Sequence, residues 1–163
     1  MKKIKHSVEI WAYDSPDELS ADDREVLEHA VEASQKAYAP YSGFFVGAAV
    51  RLGNGRIIIG NNQENVAYPS GLCAERVALF HASANYPGET VKTIAITANS
   101  NGFKVTNPTT PCGSCRQVMA ETENRQHEKI RVIMMGSSGI CYVSDSVENL
   151  LPLMFRADEL KKI

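Results

Sequence analysis

The chain has 163 residues, with 17 Lys and Arg against 19 Asp and Glu, and 44% of it is hydrophobic. That length buries a core without disulfide or metal staples, and a pI near 6.1 argues against a protein that lives on a phosphate backbone, which needs clustered Lys and Arg. No apolar run nears the ~20 residues that span a bilayer, the basic residues 1–5 lead into no apolar stretch, and four cysteines are too few for a disulfide-built scaffold. Composition therefore predicts a soluble, cytoplasmic protein acting on something small, with no nucleic acid and no membrane among its partners.

Residues 1–19 carry no helical rhythm and read as an N-terminal extension without an assigned role. Within it, Ser15-Pro16 with Glu18 offers one short helical turn. A helix follows. Ser20 with Asp23 resembles a capping box, and Leu27, Ala30, Val31, Ser34 and Tyr38 fall on one face until Pro40 stops it. Residues 44–52 and 56–61 are strands joined across Gly53-Asn54-Gly55, a hairpin turn. The pattern then predicts a helix over 73–85, a strand over 91–98 and a helix from Pro111 to about 124. Strands over 130–135 and 140–144 come next, then a short helix capped by Ser146 and a last turn over 157–162. Segment 100–110, rich in Asn and Thr, reads as either a loop near a site or a surface insertion. The order predicts one domain over 1–163 with its core at about 20–156. Its class is α/β, with helices on both faces of a mixed five-stranded sheet.

Chemistry gathers at helix starts. Cys112-Gly113-Ser114-Cys115 is a C-x-x-C whose i, i+3 spacing puts both sulfurs on one helical face, and Cys73 opens another helix. A helix N-terminus favours thiolate over thiol, and thiolate binds metal. Three soft ligands from two helices suit tetrahedral Zn²⁺ with its fourth position open, the layout of a catalytic site. A C-x-x-C alone also suits a redox pair, the lesser alternative on this spacing, and a structural zinc would need a fourth ligand. His29 lies in the first helix, His81 two turns beyond Cys73, and His6 and His127 at no ligand spacing. Each reads as a surface or packing histidine, and Cys141 lies in an apolar strand as a small core residue. Glu75, two residues after Cys73, either complements the helix dipole or serves as a proton carrier beside the metal's open position.

Cys73-Ala74-Glu75-Arg76 followed by Pro111-Cys112-Gly113-Ser114-Cys115-Arg116-Gln117 resembles the zinc signature of the nucleoside cytidine deaminases. Cys73 replaces the His of the commoner form, as in the three-cysteine, small-subunit branch. The likeness extends through Tyr38-Ala39-Pro40-Tyr41-Ser42-Gly43-Phe44-Phe45-Val46-Gly47-Ala48-Ala49 and Gly60-Asn61-Asn62-Gln63-Glu64-Asn65-Val66-Ala67-Tyr68, and returns at Leu150-Leu151-Pro152 with Phe155.

The resemblance implies a three-layer α/β/α fold and one zinc per chain, held by Cys73, Cys112 and Cys115. It implies hydrolytic deamination of cytidine and deoxycytidine in pyrimidine salvage, with Glu75 as the catalytic proton carrier. Asn62 and Glu64 match residues that hold the ribose hydroxyls, and Phe44 matches an aromatic that packs on the pyrimidine. Arg76 matches a residue that offsets the charge of three thiolates; Arg116 could share that task or complete a surface ion pair. The branch is homotetrameric, and Phe155 matches an aromatic that reaches a neighbouring subunit's site. Two rivals stay open here. One is a deaminase of another aminopyrimidine nucleoside, similar to the blasticidin S deaminases; the other is a zinc-binding module without turnover.

Overall fold

Ser20 starts the first helix as the sequence predicts. In a computed structural model that describes residues 1–156 and 160, α1 spans Ala21–Ser34, and the Ser20 hydroxyl accepts from the Asp23 amide at 3.1 Å. The reciprocal half of the box is replaced, because the Asp23 carboxylate accepts from the Arg131 guanidinium at 3.0 Å. A complete box sits upstream, where Ser15 and Glu18 cap the 3-10 turn Pro16–Glu18. α1 ends at Ser34, before Pro40, and its last turn is tied to the sheet. The Asn61 amide donates to the Ala33 carbonyl at 3.2 Å, and that of Asn99 donates to the Ser34 hydroxyl at 3.1 Å. The buried face runs through Val26, Leu27, Ala30 and Ala33, whereas Val31 and Tyr38 stand exposed. The stripe is rotated from the one predicted.

The remaining strands and helices are β2 (Phe44–Leu52), β3 (Ile57–Asn61), α2 (Ala74–Asn85), β4 (Val91–Ser100), α3 (Gly113–Gln126), β5 (Arg131–Met135) and β6 (Cys141–Ser144). The sheet has six strands where five are predicted. The added strand, β1 (Trp11–Tyr13), pairs antiparallel with β6 and gives the order β1-β6-β5-β4-β2-β3. Three residues are too few to display a period of two, and what holds them is distant in sequence. The Trp11 indole donates to the Asp145 carboxylate at 3.0 Å, and Asp145 also pairs with Arg131, which bridges on to Asp23. β4 and β5 run parallel and the other pairs antiparallel. The one parallel pair needs a crossover, and α3 supplies it.

Side chains alternate across the sheet. Ala49, Ala95, Ile133, Cys141 and Val143 pack under α1, while Ala48, Val50, Ile94, Ile96, Val132 and Met134 pack under α2 and α3. The three-layer α/β/α architecture follows. α3 is seated by the buried Glu123 carboxylate, which accepts from the Ile130 amide at 2.8 Å, the Val147 amide at 3.0 Å and the Ser146 hydroxyl at 2.7 Å. Ser146 caps a 3-10 turn, Val147–Asn149, shorter than the helix predicted there. The turn predicted over 157–162 lies, apart from Leu160, outside the described residues. Among the described residues no helix is long and apolar enough to cross a membrane.

Candidate active site

Cys73 and Cys112 are the N-cap residues of α2 and α3, and neither sulfur bonds the amides of its own helix. Both are therefore free to turn to each other. Their Sγ atoms lie 3.9 Å apart, and the sulfurs of Cys73, Cys112 and Cys115 all fall within 4.8 Å of one another. A tetrahedron with sulfur about 2.3 Å from its centre has edges of about 3.8 Å. The three sulfurs thus fit three corners of a zinc tetrahedron, and no histidine among the described residues fills the fourth.

The Cys73 and Cys115 sulfurs are not alike. A hydrogen bond from Cys115, helped by Arg76, brings the Cys73 thiol down to about 5, and the same bond, with burial, pushes Cys115 up. The Arg76 guanidinium approaches the Cys73 sulfur at 3.8 Å, and its Nε is buried without a protein partner. Arg116 is placed otherwise than expected. It donates to the carbonyls of Pro111 at 2.8 Å and Leu150 at 3.0 Å, tying the C-terminal segment to the start of α3 rather than serving the sulfurs or a surface ion pair. Cys141 is fully buried in the α1-side core, where burial pushes its thiol up to about 11.

A pocket of about 610 Å³ opens beside the sulfurs, with Phe44, Asn62, Glu64, Cys73, Glu75 and Cys112 on its wall. Cys115 lies beneath, fully buried. Glu75, in the first turn of α2, is only 4% exposed, and that burial raises its carboxyl above the usual range. Asn62 grips the start of β2: its Oδ1 accepts from the Val46 amide at 2.7 Å, and its Nδ2 donates to the Phe44 carbonyl at 2.9 Å. One amide proton and one lone pair stay free on that side chain. The Glu64 carboxylate accepts from the amides of Tyr41 at 2.9 Å and Ser42 at 3.2 Å, and from the Ser42 hydroxyl, which holds its pKa low.

Several wall residues carry no role in the sequence reading. Tyr41 and Tyr68 meet edge to face with ring centroids 6.0 Å apart, and Thr109 and Thr110 enter from the 100–110 segment. That segment is therefore a loop at the site rather than a remote surface insertion. Tyr41 and Tyr68 both stand inside the family-like motifs, so a signal existed; Thr109 and Thr110 come from a loop whose pattern carries none.

The model of the cytidine and deoxycytidylate deaminase zinc-binding region matches residues 20–130. A cytidine deaminase of Sporosarcina psychrophila is 35% identical over 139 residues, covering 85% of this chain and 95% of that protein. One of Halalkalibacterium halodurans is 45% identical over 100 residues, or 61% of this chain and 71% of the other. Among solved structures, a cytidine deaminase from Burkholderia pseudomallei superposes with a TM-score of 0.69 at 41% identity, covering 80% of this chain and 97% of that one. Since the matched region holds both helix starts and the whole sulfur cluster, the chain belongs to the zinc-dependent cytidine and deoxycytidylate deaminase family.

Proposed function

We propose that this chain hydrolyses cytidine and deoxycytidine to uridine and deoxyuridine with release of ammonia, as a cytoplasmic step of pyrimidine salvage. The observation that carries the reading is Glu75, a nearly buried carboxylate on the same pocket wall as the cysteine sulfurs. A zinc module without turnover has no use for a buried acid beside its metal. Cys73, Cys112 and Cys115 would hold one zinc, which supplies the Lewis acidity that makes hydroxide available from water near neutral pH.

The rest is work for the chain's own side chains. Glu75 takes a proton from the attacking water and delivers it to N3 of the pyrimidine. It then moves the second proton to the departing amine; the C4–N4 bond breaks, C4 keeps the oxygen, and ammonia leaves. Phe44 packs on the pyrimidine ring. Glu64, with lone pairs left beyond its three loop donors, and Asn62 take the sugar hydroxyls. Arg76 offsets the thiolate charge.

The site is completed in a homotetramer. Phe155 is 69% exposed and absent from its own pocket wall, yet its backbone is clamped by Gln117, which accepts from its amide at 3.1 Å and donates to its carbonyl at 3.0 Å. A fixed backbone under an exposed ring supports a role as a lid on a neighbour. The test is an ultraviolet assay with cytidine and metal analysis of the purified protein. The wild type converts cytidine to uridine with about one zinc per chain, and Glu75→Gln keeps the zinc while losing about 10²- to 10⁴-fold in kcat. Near-normal turnover in Glu75→Gln defeats the mechanism. Turnover of blasticidin S without cytidine replaces the substrate.

A further inference from the structure

Phe103 stands in the loop after β4, in a polar stretch from Asn99 to Thr110, and its ring stacks on that of Phe44 with centroids 6.0 Å apart and planes 14° from parallel. We infer that Phe103 is a positioning residue for base binding, which fixes the Phe44 ring from behind so that the pyrimidine meets a preset aromatic face. The inference rests on the proposed nucleoside deamination and adds a residue to it.

The geometry separates the two rings' duties. Phe44 is half-buried and lines the pocket, whereas Phe103 is 61% exposed and does not. One face of Phe44 is thus spoken for by Phe103, leaving the pocket side for a ligand. The Phe44 backbone is already fixed: its amide donates to the Ser42 hydroxyl at 3.0 Å, and its carbonyl accepts from Asn62. What the backbone leaves open is the ring's rotation about its own side-chain bonds, and a stacked aromatic restricts that.

The loop that carries Phe103 is itself built in. At its near end the Asn101 amide donates to the Gly43 carbonyl at 3.2 Å, and the Gly102 amide donates to the Ser100 hydroxyl at 3.1 Å. At its far end the Ser137 amide and hydroxyl donate to the Val105 carbonyl at 2.6 and 2.9 Å. Gly136 lies so close beneath that a Cβ there would sit 2.4 Å from the Asn107 carbonyl oxygen. Phe103 is therefore delivered to Phe44 by a loop pinned on both sides.

The experiment is steady-state kinetics on cytidine with the full-length zinc enzyme. Phe103→Ala raises KM about three- to tenfold, as loss of an aromatic pair predicts, with kcat changing less than about twofold. Phe103→Trp restores KM, which a merely structural role for the loop would not require. In a Phe44→Ala background, Phe103→Ala adds nothing further, because its partner is gone. Thermal midpoints stay within about 2 °C, since the side chain is mostly exposed. An active wild type whose KM ignores Phe103→Ala, or equal effects with and without Phe44, overturns the inference alone. A wild type inert on cytidine overturns the deaminase reading and this inference with it.

Discussion

Gly60 lies in β3 directly beneath the first turns of α2, and replacing it with Ala tests how tightly the site is held. A Cβ there would sit 2.5 Å from the Ala78 amide nitrogen and 2.7 Å from the Ala74 carbonyl oxygen, where ordinary contact begins at 3.4 Å. Both neighbours are helix backbone and cannot swing aside. α2 must therefore back off the sheet by about 0.9 Å, a displacement of the size that costs an active site about 10²-fold when reacting groups are misplaced. Overpacking of this kind costs about 1–3 kcal/mol, or roughly 3–10 °C in melting temperature for a domain this long. Because the displaced turn carries Cys73 and Glu75, Gly60→Ala is expected to lose turnover well beyond what its stability loss explains, and to bind zinc less firmly. Gly88→Ala, whose Cβ would meet nothing within 4 Å, is the control and should match the wild type. Melting curves, metal content and cytidine turnover at a temperature where both variants are folded decide the matter. A Gly60→Ala protein with wild-type melting and turnover would refute the close-packing argument.

Two further outcomes are expected. Glu64→Ala should raise KM for cytidine through loss of a charged acceptor for the sugar, with little change for free cytosine; an equal loss for both would remove Glu64 from sugar recognition. Light scattering should give a mass near four chains, and Phe155→Ala should raise KM while zinc content stays at about one per chain, whereas a fully active monomer would end the lid role of Phe155.

What the sequence shows and what it hides divide along a physical line. Helix starts are legible because caps are local: Ser20, Cys73 and Cys112 mark α1, α2 and α3 to within a residue or two. Strands β2 to β6 are legible because their apolar runs are long enough to see. β1 is not, since three residues show no period and their anchors lie on β6 and at Asp145. Tyr38 is misjudged as part of the face of α1 for a related reason: the helix stops at Ser34, where Asn61 and Asn99 meet it, and both belong to other elements. The sulfurs and Glu75 stand out through spacing at two helix starts. Phe103 and Thr109 do not, because a loop places them through contacts that no periodicity encodes.

The cysteine cluster depends on the sheet as much as on its own motif. A C-x-x-C at a helix start fixes two sulfurs on one face, but the third belongs to another helix, and its distance is set by how both helices lie on the strands. α2 can lie low over β3 because Gly60 has no side chain and pairs with Ala48, a small residue facing the same helix. α3 is drawn down by Glu123, whose three buried donors come from the ends of β5 and the Val147–Asn149 turn. A larger residue at 60, or an apolar one at 123, would leave every cysteine in place in the sequence and still separate Cys73 from Cys112. The 3.9 Å between those two sulfurs is therefore a packing distance, and the metal-binding character of the motif follows from residues that no ligand pattern includes.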